Sequence, residues 1–558
     1  MGEVKREFRH CSLFKFRFNR LLRWVRPFLP ARPDWVKIRK NSLQDFKSVD
    51  EDCVRVLVAT GTGSHWSMSG FESVLTAALR LRGSNVEVLL CDGVLSACQE
   101  CDVALFPGRR LVSEGTAPLC KTCFSPASRM FDELDVPVRT YGEFLSPLDR
   151  EEINFLIKTT RDVDIRAVSW RGIPVGEHAI AGTLRFYGRG KLAGEAFGHD
   201  VAREYLRAAM YTAAAVSGLL RENKYDVAVF HHGIYVPQGV VGDVCRLHGV
   251  RVVNWTPAYR DRSYLFSHGD SYHKTMIDES VEEWAGFEWN KEKEVRLLDY
   301  LESRRSGSND WISFQRQSEE EADGLLKEIG VTPNHPVIGL LTNVMWDAQL
   351  HFRTNAFPSM IDWLFFTIEH FIKRTDVELL IRVHPAEVLG TVPSRQRVVD
   401  EIRSRWPTLP DHIHVVAPDD PKNTYALMSA CDTVLVYGTK MAIELPCWGI
   451  PVVIAGEAWA RGKGFTTDVS SVTEYETILS SLPTMHTLCD EIVERARVYA
   501  YHLFFRRMIP VKFARKNRYL VPFTYEVNSL AALAPSEDPG LDIICEGILS
   551  GAPFVSNL

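Results

Sequence analysis

The chain has 558 residues, of which 46% are hydrophobic and 24% charged, with a formal net charge of −6. That length exceeds one ordinary core and predicts two large domains plus extensions, and the composition excludes a disordered chain. The charge excludes a general nucleic-acid binder, because no global positive field would attract a polyphosphate, and no apolar run approaches the roughly 18 residues of a transmembrane helix.

Residues 1–50 read as a basic N-terminal arm. Residues 1–40 hold twelve Lys and Arg against three acidic residues, interleaved with Phe14, Phe16, Phe18, Leu21, Leu22, Trp24 and Val25. At about 100° per residue, Leu13 to Arg26 gathers most apolar side chains on one half of a helix. Lys15, Arg20, Arg23 and Arg26 share the other half, and Pro27 stops it. Such a helix suits an anionic bilayer surface, and packing on the protein's own core is the alternative. There is no apolar core with a cleavage site, as a secretory signal requires, and position 6 is Arg where myristoylation needs Ser or Thr. The expected location is cytoplasmic, with the arm as a peripheral contact to the inner face of the cytoplasmic membrane.

From residue 54 the pattern alternates. Val54 to Ala59 reads as a strand, Ser69 to Arg82 as a helix and Val86 to Leu90 as a strand. Further strands are expected at Val227 to Phe230, Val252 to Trp255, Val337 to Leu341, Leu379 to Val383, His414 to Val416, Val434 to Val436 and Pro451 to Ala455. Helices are expected at Ala202 to Glu222, Phe357 to Arg374 and Lys440 to Trp448. Alternation of this kind predicts parallel sheets with helices on both faces. The charged stretch 286–330 has no strand signal and separates two such sheets. The expected architecture is therefore α/β, with two doubly wound, Rossmann-like domains facing a cleft. The first spans 51–285, a helical connector 286–330, the second 331–505, and a C-terminal extension 506–558. No internal repeat is visible.

Cys98-x-x-Cys101 and Cys120-x-x-Cys123 have eighteen residues between them, in a segment, 92–124, that contains Pro107, Gly108, Gly115 and Pro118. Without a secretory signal, clustered cysteines point to a metal rather than to disulfides. Two such turns around one tetrahedral ion form a zinc knuckle, structural because four thiolates fill the coordination sphere. An iron–sulfur cluster is the alternative.

Ligands of open α/β sheets bind at the carboxyl ends of the strands, so residues there are the candidates. Gly61, Thr62 and Gly63, followed by His65, form the first such turn, although position 66 is Trp and the dinucleotide pattern is broken. His231 and His232 end another strand, where an imidazole can act as general base or phosphate ligand. Glu177 and His178, in an expected loop, and Arg260, Asp261 and Arg262, after the next strand, are further candidates. His232, Glu177 and Asp261 are the expected catalytic groups. In the second domain, Arg382 and His384 alternate with Val383 and are expected to clamp a phosphate, with Pro385 shaping the turn. Tyr437, Gly438 and Thr439 open a helix whose amides suit an anion. Lys440 and Glu444 follow, the carboxylate placed to accept from a ribose, or else the two form a surface ion pair.

The pair of motifs "RVHP" and "YGTKMAIELPCWGIPVVIAG" resembles the nucleotide-binding half of GT-B glycosyltransferases. The likeness is to the capsular polysaccharide group that includes Kdo transferases, and to the glycerophosphotransferases of teichoic acid synthesis. It spans residues 336–470. The resemblance implies nucleotide and phosphate binding by Arg382, His384, Pro385, Gly438 and Thr439, and a cleft role for the Gly61–Gly63 turn. It also implies a CMP-, CDP- or UDP-linked sugar as donor, a glycan or lipid-linked acceptor, direct displacement without a catalytic metal, and a surface polysaccharide as product. Many retaining enzymes of that fold have a Glu where this chain has Val436. A CDP-polyol phosphotransferase and a non-catalytic nucleotide-sugar binder are therefore the competing expectations.

Overall fold

The computed structural model describes residues 32–42, 46, 52–104, 106–311, 322–350, 354–390, 392–483, 487–516 and 523–557. The amphipathic helix expected at Leu13 to Arg26 lies outside them. The chain divides into two compact units. The first comprises Met1–Ala179, His199–Trp255 and Pro510–Pro553, the second Ile180–Gly198, Thr256–Ile509 and Phe554–Leu558. Residues 256–285, expected with the first domain, thus fold with the second, and most of the C-terminal extension folds with the first.

The first unit is built on β1 (Arg55–Gly61), β2 (Asn85–Leu90), β3 (Val138–Thr140), β4 (Val227–His231) and β5 (Arg251–Pro257). They lie side by side in the order β3-β2-β1-β4-β5, each neighbouring pair parallel. The chain winds outward from β1 to β3 and then returns to β4, so the winding reverses between β1 and β4. A crevice opens at such a reversal, at the carboxyl ends of the two strands. Helix α1 (Trp66–Leu81) follows β1 and is buried along nearly its whole length. Segment 92–124 occupies the β2–β3 connection and contains the short helices Gly108–Glu114 and Ala117–Cys120. Three-residue β3, half-buried and without an apolar run, has no strand signal in the sequence.

β6 (Ser263–His268) belongs to the second unit but lies outside its six-stranded sheet. That sheet contains β7 (Val337–Leu341), β8 (Glu378–Arg382), β9 (Ile413–Val416), β10 (Thr433–Val436), β11 (Val452–Ile454) and β12 (Thr467–Asp468). Their order is β12-β11-β10-β7-β8-β9, all parallel. Here the winding reverses between β7 and β10. Alternate residues supply two cores: Val337, Leu341, Leu380, Val434 and Val436 on one face, and Ile338, Leu340, Leu379, Ile381 and Leu435 on the other. That is period-2 burial of a sheet covered on both sides, which is why these strands read as continuous apolar runs. The expected helix Lys440 to Trp448 is a single α turn (Met441–Glu444) running into a 3₁₀ turn (Leu445–Trp448), ended by left-handed Gly449. Pro446 supplies no amide to continue an α ladder.

Candidate functional site

In the second unit the reversal between β7 and β10 brings together Thr342, His384 and the Gly438–Lys440 turn. The amide of His384 donates to Thr342 Oγ1 at 3.0 Å, tying the ends of β7 and β8. His384 Nδ1 accepts from the amide of Ala386 at 3.0 Å, which leaves Nε2 as the protonated nitrogen. Burial, and then the cations Lys440 and Arg382, push the imidazole down to about 4, so His384 is a neutral hydrogen-bond donor at pH 7. Lys440 supplies the charge. Its Nζ sits 3.5 Å from the ring centroid of Tyr259 and makes no hydrogen bond or ion pair among the described residues. Burial and the neighbouring Arg304 pull it down to about 8. Gly438 keeps its turn close to the backbone of Glu457, since a Cβ there would stand 3.0 Å from the Glu457 carbonyl oxygen.

Three expected ligand-binding side chains are committed elsewhere. Arg382 is buried and donates to Thr424 Oγ1 at 3.1 Å and to the carbonyls of Ala417, Asp420 and Lys422. Its guanidinium holds the β9-to-Thr424 loop and is not presented as the arginine fork that the Arg-x-His spacing suggested. Tyr437 turns into the core, packs against Trp363 and donates its hydroxyl to the Phe357 carbonyl at 2.8 Å. Glu444 is 1% exposed and accepts from Arg304 Nε at 3.1 Å and the Tyr425 hydroxyl at 2.7 Å. It is neither a ribose ligand nor one half of a surface pair with Lys440. Arg304, from helix α2 (Lys291–Ser306), also donates to Asp310 and to the Tyr300 hydroxyl, forming a buried network beneath the turn. Pro385 is buried and caps the short helix Ala386–Leu389.

Arg260 and Asp261 belong to this unit rather than the first. Arg260 donates to the Phe504 carbonyl at 2.8 Å, and Asp261 is half-exposed. Tyr259, two residues before Asp261, reaches Lys440, although nothing in "NWTPAYRDRSY" marks it. Its importance follows only from residues 256–285 belonging to the second unit.

In the first unit the β1–β4 reversal gathers the Gly61–His65 turn and the two histidines. Gly61 has φ +68°. A Cβ on Gly63 would lie 2.4 Å from Ala127 Cβ and 2.5 Å from the Cys123 carbonyl oxygen, so glycine is a packing requirement. Ser64 and Thr62 hydroxyls donate to Glu100 at 2.8 and 3.4 Å. His65 and His231 rings are 6.0 Å apart, and His231 packs 5.0 Å from Trp255. His231 is buried, and burial followed by the neighbouring His232 and His65 holds it well below the usual imidazole range. His232 stacks on Tyr235 at 5.0 Å and has φ 67°, a strained backbone for a non-glycine residue of the kind that clusters at functional sites. Beneath them Glu72 accepts from Trp255 Nε1 at 3.0 Å and is pushed up to about 7 by burial. A signal for it was present, because it is one of only two charged residues in sixteen-residue α1.

Glu177 and His178 lie in the first turn of a helix (Val175–Tyr187), not a loop. His178 is buried, with Nδ1 2.6 Å from the Ile234 carbonyl and Nε2 2.8 Å from Asp243. Burial alone would lower it, but Asp243 and the carbonyl outweigh that and raise it, while His178 in turn helps lower Asp243, whose burial acts the other way. A raised histidine stabilises the fold fully below its unfolded value near ~6.5 and loses that contribution as pH rises through the folded value. A lowered aspartate contributes above its unfolded value near ~3.9. The pair therefore supports the fold most between about pH 4 and 6.5. Asn at position 243 should flatten the decline in denaturation midpoint above pH 6.5, and an unchanged pH profile would refute this assignment.

Both Cys-x-x-Cys turns close in the same way, with the Cys101 amide donating to the Cys98 carbonyl and the Cys123 amide to the Cys120 carbonyl, each at 3.0 Å. Cys123 Sγ accepts from the Gly63 amide at 3.2 Å, and Cys120 donates to Thr116 Oγ1 at 3.4 Å. Among the described residues, no three cysteine, histidine or acidic side chains stand at metal-holding geometry. The expected knuckle is thus not formed in the structure as it stands.

No protein-family model and no curated protein matches the chain. Among solved structures it is similar to KpsC of Thermosulfurimonas dismutans, a β-Kdo 2,4 transferase, at 12% identity and TM-score 0.33, over 56% of this chain and 87% of that one. It is also similar to UDP-GlcNAc 2-epimerase of Neisseria meningitidis, at 10% identity and TM-score 0.27, over 81% and 99%. A third is the glycosyltransferase SnogD of Streptomyces nogalater, at 14% and 0.22, over 81% and 95%. The likenesses are remote, and function has to be read from the strand ends themselves.

Proposed function

We propose that the protein is a glycosyltransferase of the GT-B type that takes a nucleotide-activated sugar as donor and contributes to a surface polysaccharide. The observation that carries this reading is the pairing of the Lys440 ammonium, which makes no direct ion pair among the described residues, and the neutral His384 donor at the carboxyl ends of β10 and β8. A diphosphate or monophosphate bound there would meet one positive charge, one N–H donor, the Thr439 hydroxyl and the backbone of a glycine turn. Those groups favour the leaving nucleotide as negative charge develops on it, which is the electrostatic part of a displacement at the anomeric carbon. The first unit would handle the acceptor, with His232 or His231 as the base that takes the acceptor hydroxyl proton; burial keeps the His231 imidazole neutral. A panel of CMP-, CDP- and UDP-sugars tests the reading. Release of nucleotide from one of them in the presence of acceptor supports it, and binding without turnover under all conditions would favour the non-catalytic alternative.

The cysteine turns support a zinc-binding reading in which metal draws Cys98, Cys101, Cys120 and Cys123 together. Because Cys123 and Ala127 pack on Gly63, closure would also fix the first-unit turn. Elemental analysis is expected to give one zinc per chain. Metal-free protein that is folded, with four freely titrating thiols at these positions, would remove the metal from the reading.

A further inference from the structure

We infer that Tyr259 is a positioning residue for Lys440: its ring face holds the ammonium at the phosphate-binding turn and thereby sets how nucleotide affinity varies with pH. The inference rests on the reading above that this turn binds a nucleotide.

The geometry is specific. The ammonium lies 3.5 Å from the ring centroid, within the range of a strong cation–π contact. The backbone that carries the ring is held, because the Tyr259 carbonyl accepts from the Trp311 amide at 3.2 Å and the Ala258 amide donates to the Ser263 carbonyl at 2.9 Å. Trp459 packs 6.1 Å away. The charged groups facing Lys440 come from every side of the turn. Arg304 of α2 repels it, His384 after β8 is neutral, and Glu444 and Asp310 attract it from a distance while both bond directly to Arg304. The ring face is thus the one direct stabiliser of the charged amine among the described residues. The Tyr259 phenol is raised well above its usual range by burial, so the ring does not titrate over the interval in which Lys440 does.

A nucleotide phosphate binds to the protonated amine. As pH rises through the Lys440 midpoint near 8, affinity should fall about tenfold per pH unit, since one proton is linked to binding. Removing the ring removes a stabiliser of the charged form, so the midpoint should move down.

The test is calorimetric titration with UDP and with CMP from pH 7 to 10. Wild-type protein should show the fall, Lys440→Arg should abolish it, and Tyr259→Phe should leave the midpoint in place. Tyr259→Leu should lower the midpoint by roughly half a unit or more. Fluorinated phenylalanines at position 259, which keep the ring's shape while weakening its face, should lower it progressively, and they decide the matter even if the leucine variant fails to fold. A flat wild-type profile overturns the inference, as does a uniform loss of affinity in the variants with an unmoved midpoint, which is what mere packing would give. A wild-type protein that binds neither nucleotide at any pH overturns both this inference and the nucleotide-binding reading beneath it.

Discussion

Replacing Arg304 by leucine is expected to destabilise the protein by about 3–5 kcal/mol, the usual effect of removing one partner from a buried ion pair. The guanidinium stands between two carboxylates, Asp310 and Glu444, each almost wholly buried. Leucine fills part of the volume but leaves both acids without their cation. Asp310 retains the Tyr300 hydroxyl at 2.7 Å and Glu444 retains that of Tyr425, which limits the loss without cancelling it. Chemical denaturation should register the change as a lower midpoint with little change in slope. A variant within 1 kcal/mol of wild type, as an order-of-magnitude bound, would mean that the network contributes little to the fold. Replacing Arg304, Asp310 and Glu444 together by apolar residues should recover much of the loss, because well-packed apolar groups often replace a buried ion network without penalty.

The second large effect is on ligand binding. Lys440→Met and His384→Ala should each weaken binding of the donor nucleotide roughly 10- to 100-fold, since hydrogen bonds to charged groups contribute about 1.5–3 kcal/mol. Arg382→Ala should behave differently. Its donors serve Thr424 and three backbone carbonyls, so its loss should appear first as lower thermal stability, with affinity changing only as far as the loop moves. Calorimetry and melting curves on the three variants separate the roles. If Arg382→Ala loses affinity at full stability while Lys440→Met binds normally, the charge assignment in this site is reversed.

The difference between these arginine and lysine roles explains how much of the molecule is legible in the sequence. Strands such as β7 and β10 are plain because both faces are buried, and an uninterrupted Val-Ile-Leu run records that fact directly. The "VHP" and "YGTK" stretches mark strand ends, and the structure places His384 and Lys440 at those ends. Spacing along a strand cannot say whether a side chain points to ligand or to its own neighbours. Arg382, Tyr437 and Glu444 all sit at suggestive positions, and each turns inward because the loop after β9, the Phe357 segment or α2 offers a partner. The Tyr259 contact was illegible for another reason. A chain crosses between folding units where contacts change, not where composition does, and residues 256–285 carry no compositional break. Glu72 illustrates the converse, since a lone acid in an otherwise apolar helix announces its burial.

The division of the chain also bears on synthesis. The first unit depends on Pro510–Pro553, where Leu541, Ile544, Cys545 and Ile548 are buried in its core and Arg82 pairs with Asp542. The second unit draws nearly all its residues from Thr256–Ile509. On the ribosome, the later-encoded sheet can therefore be completed while the earlier one still waits for its closing helix. For that interval the apolar side of α1 and the N-terminal strands is without part of its cover, and the nascent chain would be most exposed to chaperones there. A stop codon shortly after residue 510 would spare the six-stranded sheet of the second unit and leave the first unit in that half-covered state.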